Sequence, residues 1–99
     1  RISVKRHGQG RVSGALHDHL AVGARLRATE PAGDFRLADG DSPLVLIGAG
    51  IGVTPLVSML AESVGSRRPV TFVHAARTRD EAPLLDEIEA LAERGQARL

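Results

Sequence analysis

The run Leu44-Val45-Leu46-Ile47-Gly48-Ala49-Gly50-Ile51-Gly52-Val53-Thr54-Pro55 restricts the fold more than any other part of the chain. Its first four residues are all apolar, as in a parallel strand covered on both faces. Gly50 and Gly52 allow a tight turn and a close backbone approach where a Cβ would clash. Thr54 is placed to cap a helix, and Pro55 suits its first position, where no N–H is needed. A strand, a glycine turn and a helix start in that order make an anion cradle, because the orphan N–H groups and the helix dipole favour negative charge. The pattern is Gly-x-Gly-x-x-Pro, not the commoner Gly-x-Gly-x-x-Gly.

The residues that follow extend this unit. A helix is predicted from Pro55 to about Val64, with Leu56, Met59, Leu60 and Val64 as its apolar stripe and Gly65 as its stop. Val70–Val73 is the next strand. A second helix is predicted from Asp80 or nearby. Leu84, Ile88, Leu91 and Ala92 line one side of it, Asp86, Glu87, Glu89 and Glu93 point elsewhere, and Gly95 ends it. Ala97-Arg98-Leu99 opens a third strand. The order β-α-β-α-β is part of a doubly wound α/β sheet.

The first part of the chain reads differently. Ile2-Ser3-Val4-Lys5 alternates as a half-buried strand does. His7-Gly8-Gln9-Gly10 is a turn, and Ser13 is placed to cap a short helix with Leu16 and Leu20 on one face. Leu26, Ala28 and Pro31-Ala32-Gly33-Asp34-Phe35 read as strand, turn and strand. The polar stretch Ala38–Pro43 marks the boundary, which divides the chain into residues 1–40 and 41–99. The first piece is too short to enclose a core alone, and the second has only about half the strands of an ordinary open sheet.

Composition narrows the function classes. The 99 residues carry a formal charge of +1 with both signs interleaved, so no basic stripe invites nucleic acid. The absence of cysteine removes disulfide, iron–sulfur and thiolate chemistry from this stretch, and Phe35 and Phe72 are its only aromatic residues. Leu44 to Ala61 is free of charge, but alternate glycines followed by Thr-Pro would break a membrane span at its middle. No secretory signal is visible, so no membrane association is expected.

A lone Gly-x-Gly is weak evidence. Here it follows a buried strand and opens an amphipathic helix inside a βαβ pattern, and that context favours phosphate binding without choosing the nucleotide. An NAD dehydrogenase of the ordinary kind carries an acid at the end of its second strand. This chain has Val73-His74-Ala75-Ala76-Arg77 there, which counts against that reading and against a methyltransferase-like loop. Gly10-Arg11-Val12-Ser13 is a second glycine turn, which by itself reads as a plain helix cap. His17 and His19 stand two apart on a helix and face different sides, so no metal site is expected. His74 reads as a packing or hydrogen-bonding residue, and Arg77 and Arg79 as solvent-facing. No nucleophile–base pair is present, and no catalytic residue is assigned.

Read in order, these groups resemble the ferredoxin–NADP reductase superfamily, and most of all the reductase part of flavohaemoglobins and related bacterial flavin reductases. The resemblance rests on Ile2-Ser3-Val4-Lys5-Arg6, Gly10-Arg11-Val12-Ser13 with Leu16-His17-Asp18-His19, Val22-Gly23 with Pro31–Phe35, Gly48–Pro55, and His74-Ala75-Ala76-Arg77. It implies part of an antiparallel flavin-binding β-barrel followed by part of a nicotinamide-nucleotide domain, an excerpt of a two-domain reductase that is inactive alone. It implies FAD and NAD(P)H as cofactors. Gly10, Arg11, Val12 and Ser13 would receive the FAD pyrophosphate; Ala49, Gly50, Ile51, Gly52, Val53 and Thr54 would receive that of NAD(P)H. Hydride would pass from nicotinamide to flavin, and electrons onward to a haem, an iron–sulfur centre or a small acceptor on a partner domain or protein. The flavin-seating Arg-x-Tyr-Ser/Thr motif would precede Ile2, and the segment that separates NADPH from NADH would follow Leu99. A cytoplasmic location is expected. The alternative is a non-catalytic nucleotide-binding or assembly module on the same fold.

Overall fold

The computed structural model describes residues 1–99. The chain forms two compact units, Arg1–Phe35 and Arg36–Leu99.

The second unit is built on two parallel strands, β1 (Leu44–Ala49) and β2 (Val70–Ala75), paired from Leu44↔Val70 to Ala49↔Ala75. Helix α2 (Thr54–Ser63) connects them, and α3 (Leu85–Gly95) follows β2. Ala97–Leu99 contributes a single parallel bridge, Thr71↔Arg98, on the other edge of β2. The order of elements is thus the expected α/β one, with each strand two residues longer than its apolar core. In place of a full third strand there is that one bridge.

Alternation along the strands fixes the core. Leu46, Val70 and Phe72 point to one face, where they pack with Val53, with Leu56, Val57 and Leu60 of α2, and with Ile88 and Leu91 of α3. Burying each such side chain contributes about 1.5–3 kcal/mol. The expectation that the sheet is covered on both faces fails within this chain. Val45, Ile47 and Val73 point the other way and are 58%, 69% and 44% exposed, because both helices lie on the opposite face.

The helix boundaries also correct the sequence reading. A start for α3 at Asp80 is prevented by Pro83, which disfavours the helical region at Ala82. The chain instead closes a turn, Ala82 N to Arg79 O at 3.0 Å, and enters the helix through Leu84, which is left-handed at φ 60°. α3 ends at Gly95 as expected; Gln96, not the glycine, adopts the left-handed conformation, and Ala97 N returns to Ala92 O at 2.8 Å. In α2 the apolar stripe includes Val57, and Ser63 is buried with its hydroxyl donating to Met59 O at 2.8 Å.

The first unit holds one helix, α1 (Arg11–His19), none of whose residues is buried. The strands expected at Ile2–Lys5 and around Leu26 and Phe35 are not formed. His17 Nε2 meets Val4 O at 2.8 Å and Arg6 pairs with Asp18, which ties the leading segment to α1. Both partners of that ion pair are about half exposed, so it adds little stability.

At Gly48 the side chains of Val53 and Leu56 pack closely on β1. A Cβ there would stand 2.7 Å from Leu56 Cδ1 and 3.0 Å from Val53 Cγ1. Val53 is fully buried and stiff at χ1. Gly48→Ala is therefore expected to destabilise the full-length protein by about 1–3 kcal/mol, read by denaturant unfolding. A value near zero would show that the strand and helix separate freely.

Candidate functional site

The cradle forms where β1 ends. Ala49 is still extended, at φ −137° and ψ 146°, and Gly50–Val53 then coil as a short 3-10 turn that runs directly into α2. Gly50 is left-handed, at φ +49°, so a glycine suits the bend itself. Gly52 differs from the expectation that both glycines serve the turn. Its φ is not left-handed, it is exposed, and a Cβ built on it meets nothing within 4 Å. The fold of this chain gives no reason for glycine at 52; the space beside it is open.

Thr54 does not cap the helix. It is the first residue of α2, and its Oγ1 donates back to Ile51 O at 3.1 Å. Pro55 accordingly sits one place further in. No side chain caps either the 3-10 turn or α2, so this helical end has no acceptor of its own. It lies at the carboxyl end of a parallel strand, which is where ligands bind in open α/β sheets. The arrangement can accept an anion through main-chain N–H groups and the helix dipole. Ala49, Gly50, Ile51, Gly52, Val53 and Thr54 form this continuous arc.

The second glycine turn lies in the first unit. Gly10, not Ser13, is the residue before the helix, at φ −81° and ψ 109°, because its N–H closes a turn on His7 O at 2.9 Å and its carbonyl takes the first helical bond, from Gly14 N at 2.8 Å. Ser13 is the third residue of α1. Its hydroxyl accepts from His7 N at 3.2 Å and donates to Gly10 O at 3.3 Å. A Cβ on Gly10 would crowd Ser13 Oγ and lie 3.0 Å from His7 Cβ, so the turn requires glycine there. Arg11 and Val12 are exposed at the helix start, which again has no side-chain cap.

The loop after β2 is internally paired. Arg77 and Arg79 face solvent as expected, and there Arg77 meets Glu81 at 3.2 Å and Arg79 meets Glu89 at 2.5 Å. His74 packs edge-on against Phe72, and neither of its ring nitrogens, both buried, has a hydrogen-bond partner. Two roles were not read from the sequence. Gly48 was read there with the glycine turn after the strand, whereas it is a residue of β1 at a point of close packing. Arg68 reaches the segment before β1, at a sequence distance that no local pattern signals.

Residues 46–99 match the oxidoreductase NAD-binding domain family. The flavohemoprotein of Pseudomonas putida is 50% identical over 94 residues, which cover 95% of this chain and 24% of that protein. The flavohemoprotein of Pseudomonas aeruginosa is 56% identical over 77 residues, 78% of this chain and 20% of that protein. The chain thus spans about a quarter of the length of these curated relatives. Among solved structures, the flavohem-like FAD/NAD binding domain of nitric oxide dioxygenase from Vibrio cholerae superposes with a TM-score of 0.82 at 33% identity, covering 96% of this chain and 43% of that one. With its parallel strand pair, its Gly-x-Gly-x-x-Pro turn and these relatives, the chain belongs to the oxidoreductase NAD-binding domain family, in a ferredoxin–NADP reductase-like module of the flavohemoprotein kind.

Proposed function

We propose that this chain is the central part of a flavin-dependent oxidoreductase that passes hydride from NAD(P)H to FAD and electrons onward to a haem. Residues 41–99 form the first part of the nicotinamide-nucleotide domain. Residues 1–40 form the last part of a flavin-binding barrel. The observation that carries the reading is Gly52: exposed, unstrained, and bordered by open space at an uncapped helix start. A pyrophosphate fits there, since it needs a backbone without a Cβ and donors without an internal acceptor.

Each residue then has a defined task. Gly50 turns the chain off the strand end, and Gly52 lets the main chain approach the phosphates. The 3-10 turn and α2 aim their N–H groups and dipole at them, while Ala49, Ile51, Val53 and Thr54 complete the arc. In the first unit Gly10, Arg11, Val12 and Ser13 receive the FAD pyrophosphate, with the helix start and the Arg11 guanidinium supplying positive potential. When bound, the nicotinamide supplies hydride and the flavin accepts it. The protein binds, orients and shields; no side chain of this chain is assigned a proton to move. The relatives named flavohemoproteins favour haem over an iron–sulfur centre as the acceptor. The setting is cytoplasmic; no helix of the structure is long and apolar enough to cross a membrane.

Gly52→Val tests the nucleotide site in the full-length protein. The KM for NAD(P)H should rise sharply while FAD stays bound and dithionite still reduces it. The Cβ of residue 52 meets nothing in the fold, so thermal stability without nucleotide should be unchanged. Stopped-flow reduction at several NAD(P)H concentrations reads the effect. Saturation at wild-type concentration and rate would make the turn purely structural and leave the non-catalytic module as the better reading.

Ser13→Ala tests the flavin site. One hydrogen bond to a charged group contributes roughly 1.5–3 kcal/mol, so FAD should be released about ten- to a hundredfold more readily. NAD(P)H affinity at saturating flavin should change little. FAD fluorescence on dilution gives the dissociation constant, and an unchanged value would reduce Ser13 to a brace for the His7–Gly10 turn.

A further inference from the structure

Helix α1 has no buried residue, so no apolar packing fixes its direction. Polar ties to the segment Val4–His7 do so instead. At the helix start, Ser13 Oγ accepts from His7 N at 3.2 Å and Gly10 N donates to His7 O at 2.9 Å. Towards the far end, Arg6 holds Asp18 through both terminal guanidinium nitrogens, Nη2 to Oδ2 at 3.1 Å. There too His17 Nε2 meets Val4 O at 2.8 Å. A carbonyl only accepts, so Nε2 carries the proton and donates it. Ser13 and His17 stand four apart and share one face of the helix, whereas His19 stands two from His17 and faces another side.

We propose that His17 is a positioning residue: its bond to Val4 aims the start of α1 and thereby sets how tightly Gly10–Ser13 holds the flavin pyrophosphate. The inference rests on the reading of Gly10–Ser13 as the flavin site. The first helical bond of α1 runs from Gly14 N to Gly10 O, so the N–H groups of Arg11, Val12 and Ser13 have no acceptor in the helix. They point along the helix axis, and a tilt of the axis swings all three together. Gly10 is the pivot of such a tilt, and His17 lies about 10 Å along the axis from it. A tie at that distance restrains the angle better than one beside the pivot. A shift of about 2 Å at His17 would tilt the helix by about 10°, which reaches the margin within which a preorganised site works. The Arg6–Asp18 pair holds the angle less firmly, since exposed ion pairs are screened and weak.

The test uses the full-length protein, stripped of FAD and titrated with it. The variants are His17→Leu, His17→Gln, His19→Leu, Ser13→Ala and the double variant of His17→Leu with Ser13→Ala. Loss of one neutral hydrogen bond should raise the FAD dissociation constant of His17→Leu about two- to tenfold. His17→Gln places an amide N–H near the position of Nε2 and should restore the wild-type value, and His19→Leu should leave it unchanged. Because His17 acts through the turn, the double variant should fall short of the product of the two single effects by about twofold or more. The melting temperature of the FAD-free protein should match wild type in His17→Leu. A lowered melting temperature, an equal loss in His17→Gln, or single effects that simply multiply would overturn the proposal. An unchanged constant in His17→Leu beside a weakened one in Ser13→Ala would remove the brace and leave the flavin site standing. An unchanged constant in Ser13→Ala would remove the flavin site itself, and the proposal with it.

Discussion

The second unit depends on how closely α2 approaches the strand that precedes it. Gly48 permits that approach: with only hydrogen at its Cα, Val53 and Leu56 settle against the backbone of β1. Their burial places the 3-10 turn over the strand end and sets where the first uncapped N–H groups point. The glycines of the motif therefore divide their tasks. Gly48 serves packing, Gly50 serves the bend, and Gly52 serves neither.

Much of this was legible in the sequence because apolar periodicity reports burial directly. Leu46 and Phe72 in the strands, Leu56 and Leu60 in α2, and Ile88 and Leu91 in α3 all lie in the core that the pattern implies. The misreadings share a cause, namely partners or constraints outside the local pattern. The strands of the first forty residues need neighbours to hydrogen-bond with, and alternation at Ile2–Lys5 cannot supply them. Pro83 overrode the helix start expected at or near Asp80. Ser13 and Thr54 look like caps by residue type, yet in both places the preceding backbone already completes the turn and the hydroxyl bonds backwards instead. The candidate cradle was legible as a motif, but the difference between Gly50 and Gly52 required dihedral angles.

The two glycine turns apply one physical idea with different means. At Ala49–Thr54 the helix start follows a buried strand, and the core beneath makes it rigid. At Gly10–Ser13 the helix has no buried residue, and the turn is held by the Ser13 hydroxyl, by His17 on Val4 and by Arg6 on Asp18. Such polar, exposed bracing opens at lower cost than a packed core. The Gly10–Ser13 turn is therefore the softer of the two.

Leu84 carries a consequence for the loop beyond β2. A branched, bulky residue at φ 60° is unfavourable, by roughly 1–3 kcal/mol, and persists only when its surroundings over-determine it. Here the side chain is anchored against the core cluster. Sliding the loop by one residue would place Pro83, whose ring forbids a positive φ, or Leu85 in that conformation, and would pull the anchor out. The loop from Ala76 to Leu84 thus has an indexed length, like a chain link that engages only one tooth. Insertions or deletions there cannot be absorbed locally, and a change of one residue would be transmitted to α3 as a rotation of its buried face.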